Sequence, residues 1–522
     1  MGPKKLLSNG RTLAAGLVDQ GASAPSAATN VKSENDLRPS SIGLMLFAAL
    51  ERQGIRYCHW KSNIRLAETL AGLEDIDLLV HPADSHAFQH IINECGFKLT
   101  VSRMGVGHPG VFHALAWDHD SGRLLDLHAY HQLVSGDSLV KSFRFPVEED
   151  FLARSSSLMG VRIPEPSAEL VLYLLRILLK HTSMIEIRKV NGHFGHCRDE
   201  LSWLLQRSNV GEAAALCDDW FPSLRIPVQQ MIDCVATGSI ASRVAMGMRV
   251  AWALRNQRRI GHVAAGFSRI MRFGNKYSSR LRRRRNLSLL AGGAWIALVG
   301  PKGTGKSTLT KLLAKRLGTK LDVKQIHFGK PPATWLTFLP RLLVAAARKA
   351  LPKEHPDEDE KPERQIERPY STLFIISKLL VAVDRQRLLT RSMRTMSSGT
   401  ILISDRCHVT NSTGMDGSAF DDLAITRARS PFQRRLMERE RAIYRCLPRP
   451  RLVLKLSVPL ETALKRDLDR CKPGGPNPGA VQCRWTRESG SEFAKSTVCP
   501  INTDGDIEET LRAVAARVWQ SI

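Results

Sequence analysis

Trp295-Ile-Ala-Leu-Val-Gly300-Pro-Lys-Gly303-Thr-Gly305-Lys306-Ser307-Thr-Leu-Thr-Lys-Leu-Leu-Ala-Lys-Arg-Leu317 reads as an apolar strand, a glycine loop and a helix, in that order. The loop carries the spacing Gly-x-x-x-x-Gly-Lys-Ser of a phosphate-binding P-loop. Its glycines let backbone N–H groups turn inward around phosphate oxygens, and the helix that follows aims its positive N-terminal end at the same anion. Gly300, Pro301, Lys302, Gly303, Thr304, Gly305, Lys306, Ser307 and Thr308 are therefore the expected nucleotide-binding residues. Lys306 is placed to reach the terminal phosphates and Ser307 to hold magnesium, so ATP and Mg2+ are the expected cofactors.

Outward from this stretch, apolar runs and helical patterns alternate to the C-terminus, at 323–328, 336–350, 371–396, 400–404, 432–446, 451–457, 460–470 and 507–519. That alternation predicts an α/β domain over 291–522, with a parallel sheet covered by helices on both faces. Two interruptions are expected to lack regular structure: the Pro-, Glu- and Asp-rich 351–369, and 472–491, which opens Lys-Pro-Gly-Gly-Pro.

A P-loop by itself does not separate a kinase from an ATPase or a switch protein, so the discriminating residues lie at later strand ends. Lys378-Leu-Leu-Val-Ala382-Val-Asp384-Arg385-Gln-Arg387 reads as helix. Thr400-Ile-Leu-Ile-Ser404-Asp405-Arg406 then places Asp405 and Arg406 at the C-terminal end of a strand, where open α/β sheets bind ligands. These residues resemble the thymidylate kinase family, in which an Ala-x-Asp-Arg helix precedes a strand ending in Asp-Arg-Tyr. The resemblance runs on through Pro459-Leu-Glu461-Thr-Ala463-Leu-Lys-Arg466 and covers roughly 293–522.

The resemblance implies a phosphotransferase of nucleoside-monophosphate-kinase type. Phosphoryl transfer is mainly positioning and charge neutralisation. Lys306 would then stabilise the transferred group, Ser307 and Asp405 would hold magnesium, and Arg385 and Arg406 would clamp an anionic, small-molecule acceptor through paired N–H donors. Arg466 and Arg470, one helical turn apart, would swing onto the phosphates from a lid. Val381 stands where the family places a stacking phenylalanine, Cys407 where it has the tyrosine, and His327-Phe-Gly-Lys-Pro-Pro332 where it has Arg-Glu-Pro-Gly-Gly. These departures argue against thymine recognition and are closer to a divergent group found with bacterial polysaccharide genes.

The N-terminal half carries a second constellation: Tyr57-Cys-His-Trp-Lys61-Ser62-Asn, then Asp75-Ile-Asp77 opening a strand, then Asp126 in the strand 124–128. Three carboxylates on adjacent strands can hold two magnesium ions. The pattern looks like the nucleotidyltransferase superfamily, with Lys61 in place of the glycine of its Gly-Ser turn. Asp75, Asp77 and Asp126 are the implied metal ligands, either of an active transferase or of a structural relic. His128 and His131 are given no chemistry, and His193-Phe-Gly-His196-Cys197 fits no common zinc spacing.

Composition frames both halves. The 522 residues are 43% hydrophobic, which suits soluble globular domains and excludes a stapled mini-protein. The organisation expected is a disordered tail over 1–40, a small α/β nucleotidyltransferase-like domain over 41–163, a helical basic connector over 164–290 and the P-loop domain. Ten cysteines without a Cys-x-x-Cys pair, no secretory leader and no apolar run long enough to span a bilayer point to the cytoplasm. The net charge of +26 is uneven, because no Asp or Glu lies between Asp233 and Asp322. The segment from Arg249 to Arg285, ending in four consecutive arginines, is expected to be a solvated linker or a contact for a polyanion or membrane surface. A nucleotide-controlled binding protein is thus the rival to the kinase, and a homodimer is a further expectation.

Overall fold

The computed structural model describes residues 37–102, 107–281, 287–329, 331–350, 370–409, 416–469, 478–489, 492–493 and 495–522. The expected tail up to residue 36, the four arginines at 282–285, the excursion at 351–369 and Arg470 lie outside the described residues. In chain order the strands are β1 Tyr57–His59, β2 Ile76–Val80, β3 Lys98–Ser102, β4 Val111–Asp118, β5 Arg123–Tyr130, β6 Leu133–Ser135, β7 Phe143–Phe145, β8 Ser155–Leu158, β9 Val161–Pro164, β10 Leu287–Leu289, β11 Trp295–Val299, β12 Val323–Ile326, β13 Ile401–Ser404, β14 Leu452–Ser457 and β15 Thr497–Asn502.

The C-terminal sheet is parallel throughout, in the order β12-β13-β11-β14-β15. Its strands read as unbroken apolar runs because both faces are covered. Successive side chains alternate across the sheet. Ile296 and Leu298 therefore join Leu309, Leu313 and Leu317 of the helix Lys306–Leu317 and Val514 and Val518 of the helix Ile507–Ser521. Trp295, Ala297 and Val299 face the other way, onto Ala382 and Leu389 of the helix Thr372–Ser397 and Ile443 and Tyr444 of the helix Pro431–Cys446. The two-faced α/β arrangement is thus as expected. Two local readings are corrected. The fifth strand, β15, was not anticipated, since Thr497-Val-Cys-Pro-Ile-Asn carries a proline; Pro500 is tolerated because β15 is an edge strand. Residues 478–489, read as irregular, form a helix that begins at Pro478, where a missing N–H costs no bond.

The N-terminal sheet is mixed, in the order β1-β2-β5-β4-β3-β10, with β2 and β5 parallel and the other neighbours antiparallel. Beside it, the helix Pro166–Lys180 is buried almost all round, as its apolar sequence requires. Glu165 caps it by accepting from the Ser167 and Ala168 amides. Among the described residues, the helices Met184–Gly192, Phe194–Leu205, Val210–Trp220, Val228–Ala236 and Ile240–Ala253 pack against it.

The two sheets are not separated by the connector. Leu115, Trp117 and Leu124 of β4 and β5 share one core with the helices Lys306–Leu317 and Ile507–Ser521. Trp519 donates its indole N–H to the Gly96 carbonyl at 2.9 Å, and Arg316 donates to Gly122 O at 2.9 Å. β10, at the end of the segment read as connector, adds itself antiparallel to β3, while the Leu287 amide donates to Lys320 O and Leu287 O accepts from Asp322 N. The helix that follows the P-loop is therefore braced directly by the N-terminal half.

Candidate functional site

The chain crosses between β11 and β14 on one side and β13 on the other, so a crevice opens at the C-terminal ends of β11 and β13, the place where open parallel sheets take ligands. The P-loop and Asp405-Arg406 both sit there. Gly300, Gly303 and Gly305 have φ of 145°, 96° and 78°, a region where a side chain is strained. Space is also decisive at two of them. A Cβ on Gly300 would stand 2.3 Å from Leu456 O, and one on Gly303 would stand 2.8 Å from Ala463 Cα. The loop is thus wedged between β14 and the helix Leu460–Leu468.

Within the loop, Thr304 is fully buried and its hydroxyl donates to Pro301 O at 2.8 Å. The Lys306 ammonium donates to the carbonyls of Gly300 and of Pro301, the latter at 2.8 Å. Lys302 points away and pairs with Asp467 at 2.9 Å, which makes it a brace between the loop and the helix Leu460–Leu468. Ser307 and Thr308 are exposed at the helix start. Arg466 donates to Gly303 O at 3.3 Å and to Thr503 O at 2.9 Å, beside a cleft of about 290 Å³ also lined by Thr308, Gly505 and Ile507.

Asp405 and Arg406 do not pair with each other in the way a simple internal ion pair would. Asp405 Oδ2 lies 3.4 Å from His327, and its Oδ1 is buried with no hydrogen-bond partner among the described residues. Arg406 pairs with Asp416 at 3.2 Å. Arg385 is 4% exposed; it donates to Phe328 O at 3.1 Å and to the Tyr444 hydroxyl, and stands 3.7 Å from Asp416. Asp416 thus joins the two arginines. Burial pushes its carboxyl above the usual range, against the pull of Arg406 and Arg385. Sequence reasoning missed it, because Asp416 sits in Thr413-Gly-Met-Asp-Gly417, whose only signal is turn composition. Arg385 and Val381 open onto a further cleft of about 360 Å³ with Arg341, Lys378 and Tyr444. Asp384 serves the fold instead, accepting from Thr334, Thr337 and Arg341 and so anchoring the helix Trp335–Ala350. Cys407, next after Arg406, is buried.

A triphosphate with its magnesium suits these residues. Asp405, with its orphaned oxygen, lines one recess with Gly300, Lys306 and Arg406, so a phosphate and its cation would meet a carboxylate and two basic groups there.

The N-terminal carboxylates also converge, but onto cations of the chain itself. Lys61 lies 2.8 Å from Asp77. Lys320, from just past the P-loop helix, reaches Asp75 at 3.0 Å and Asp126 at 2.9 Å. His128, to which the sequence reading gave no chemistry, lies 3.3 Å from both Asp77 and Asp126. Against the cost of burial, hydrogen bonds to Asp126 and Asp77 raise its pKa to about 10, so in this arrangement the ring stands as an imidazolium between two carboxylates. Although His113, Asp126 and His128 are close enough to share an ion, the charges of Asp75, Asp77 and Asp126 are already balanced. The arrangement as it stands does not suit magnesium. His131 bonds the Val80 carbonyl at 3.1 Å, the structural role expected of it. Since Lys320 is partly solvated, Lys320→Met is expected to lower stability by about 1 to 2 kcal/mol, which a shifted urea midpoint would report.

Among the described residues, no helix is long and apolar enough to cross a membrane. No family model matches the chain, and no curated protein matches it. The chain is similar to the solved thymidylate kinase of Candida albicans, at 16% identity and a TM-score of 0.25, over 44% of this chain and 90% of that one. The strand order and the glycine loop give the C-terminal half a parallel α/β fold with a glycine-rich loop at the crevice.

Proposed function

We propose that the chain is an ATP-dependent kinase that passes the γ-phosphoryl group to a small anionic acceptor. The observation that supports this most is the joining of Arg385 and Arg406 through Asp416, with Arg385 on the wall of a cleft of about 360 Å³ and Arg406 on the recess that it shares with Gly300 and Lys306. Bound ATP would supply the phosphoryl group, and magnesium at Ser307 and Asp405 would neutralise its oxygens. The chain's own work is positioning. Lys306 exchanges its two carbonyl partners for phosphate oxygens, Arg466 closes the nucleotide cleft, and Arg406 bridges donor and acceptor. Val381 and Cys407 put no aromatic ring at those two positions, which weighs against selection of dTMP as the acceptor.

The experiment is ADP formation by the purified chain against nucleoside monophosphates, sugars, sugar phosphates and lipid-linked sugars. An acceptor other than dTMP is expected to raise ADP formation, with one phosphorylated product per ADP. If dTMP serves as well as any other acceptor, the reading of Val381 and Cys407 is wrong. A second reading, a nucleotide-controlled protein that docks on an anionic membrane surface, is favoured by the helix His262–Leu281. Val263, Phe267, Ile270 and Tyr277 are exposed along it, in the basic segment from Arg249 to Arg285. ADP formation stimulated by anionic vesicles and by no small acceptor would decide for that reading.

A further inference from the structure

A cleft of about 1110 Å³ lies between the N-terminal sheet and the helices beside it, away from the P-loop. Its described wall includes the cations Lys61, Lys141, Arg176, Lys180, Arg272 and Lys320, against the carboxylates Asp126, Glu186 and Glu200. Most of the acids are taken. Lys320 holds Asp126, Arg176 pairs with Glu200 at 3.0 Å, and Glu186 is bound by Lys189 at 2.9 Å and by the Ser138 hydroxyl. Lys61 is spent on Asp77. None of the described carboxylates pairs with Lys141, Lys180 or Arg272. The wall therefore carries surplus positive charge in a concave, partly dehydrated space, which is what an anion site requires.

Two further observations show that this charge is placed rather than incidental. Lys141 is one of few non-glycine residues with positive φ, at 47°. Such strain persists only where the surroundings impose it. Here they do: Asp137 accepts from the Leu139 amide at 3.0 Å and the Val140 amide at 2.9 Å, pairs with Arg269 at 2.8 Å, and so fixes the loop that aims Lys141 over the Tyr130 ring, 5.2 Å from its centroid. Lys180, at the end of the buried helix Pro166–Lys180, has its pKa pulled down to about 8, by burial first and then by the charges of Arg176 and Lys61.

We propose that this cleft is a second ligand site, which binds a small molecule through a phosphate or diphosphate group held by Lys141, Lys180 and Arg272, without a divalent cation. No metal is needed, because Lys61 and Lys320 already stand against Asp75, Asp77 and Asp126. The site is independent of the P-loop.

The test is calorimetric titration of inorganic pyrophosphate, in EDTA, into full-length Lys306→Ala protein, in which the P-loop is weakened. One-to-one binding is expected, about tenfold or more weaker in a protein that also carries Lys180→Met or Lys141→Asn, and nearly restored by Lys141→Arg. Asparagine tolerates the left-handed backbone, and methionine removes a charge crowded by other cations, so both proteins should melt close to the parent. The proposal fails if pyrophosphate does not bind, if neither substitution weakens it, or if binding appears only when magnesium is added.

Discussion

A Lys306→Ala protein should form ADP about 10²- to 10³-fold more slowly than the parent, the usual consequence of removing one charged stabiliser of a developing anion. Its stability should hardly change. In the resting loop the ammonium donates to the Gly300 and Pro301 carbonyls, and in the half-buried setting of Lys306 water can replace it there for roughly 1 kcal/mol. The glycine geometry and the packing against Leu456 and Ala463 do not involve the lysine side chain. Activity and melting temperature should therefore separate, with initial rates and ADP binding falling while the thermal midpoint stays within a few degrees. Equal ATP binding and turnover by the two proteins would remove the foundation of the kinase reading.

Arg385→Lys tests the other side of the reaction. The guanidinium is planar and spans Phe328 O, the Tyr444 hydroxyl and the neighbourhood of Asp416 together. An ammonium is a point charge and cannot satisfy that set while also facing an acceptor. A loss of about 100-fold in kcat/KM for the acceptor is expected, carried mostly by KM, with ATP binding unchanged. Arg385→Met should be harsher on the fold, by about 3 kcal/mol, because Asp416 is then left buried beside Arg406 alone. Adding Asp416→Asn removes the stranded charge and should recover most of that stability without recovering activity. If the double substitution restored turnover as well, Arg385 would be a structural group and not part of the acceptor site.

The C-terminal fold was legible because its signals are local. Five apolar residues, a glycine loop and a helical repeat are contiguous at 295–317, and each strand buried on both faces announces itself as a continuous apolar run. β15 escaped because a proline obscures it, and the edge position that makes that proline harmless is a property of the assembled sheet. Asp416 escaped for a related reason. An acid in a turn becomes a bridge only when two arginines from different elements arrive beside it.

In the N-terminal half Asp77 on β2 and Asp126 on β5 stand on neighbouring strands, with Asp75 just ahead of β2, since the parallel register sets Asp77 against His128. What the sequence could not show was their counter-charge. Lys320 lies 194 positions from Asp126 and belongs to the other half of the chain. By itself, then, the sequence determined the glycine loop, the parallel sheet and the helices on its two faces, all of which depend on neighbours along the chain. Only the tertiary structure decided which charges meet, that the two sheets share one core, and that the N-terminal acids face lysines and an imidazolium, because those contacts join residues that nothing in the linear order associates.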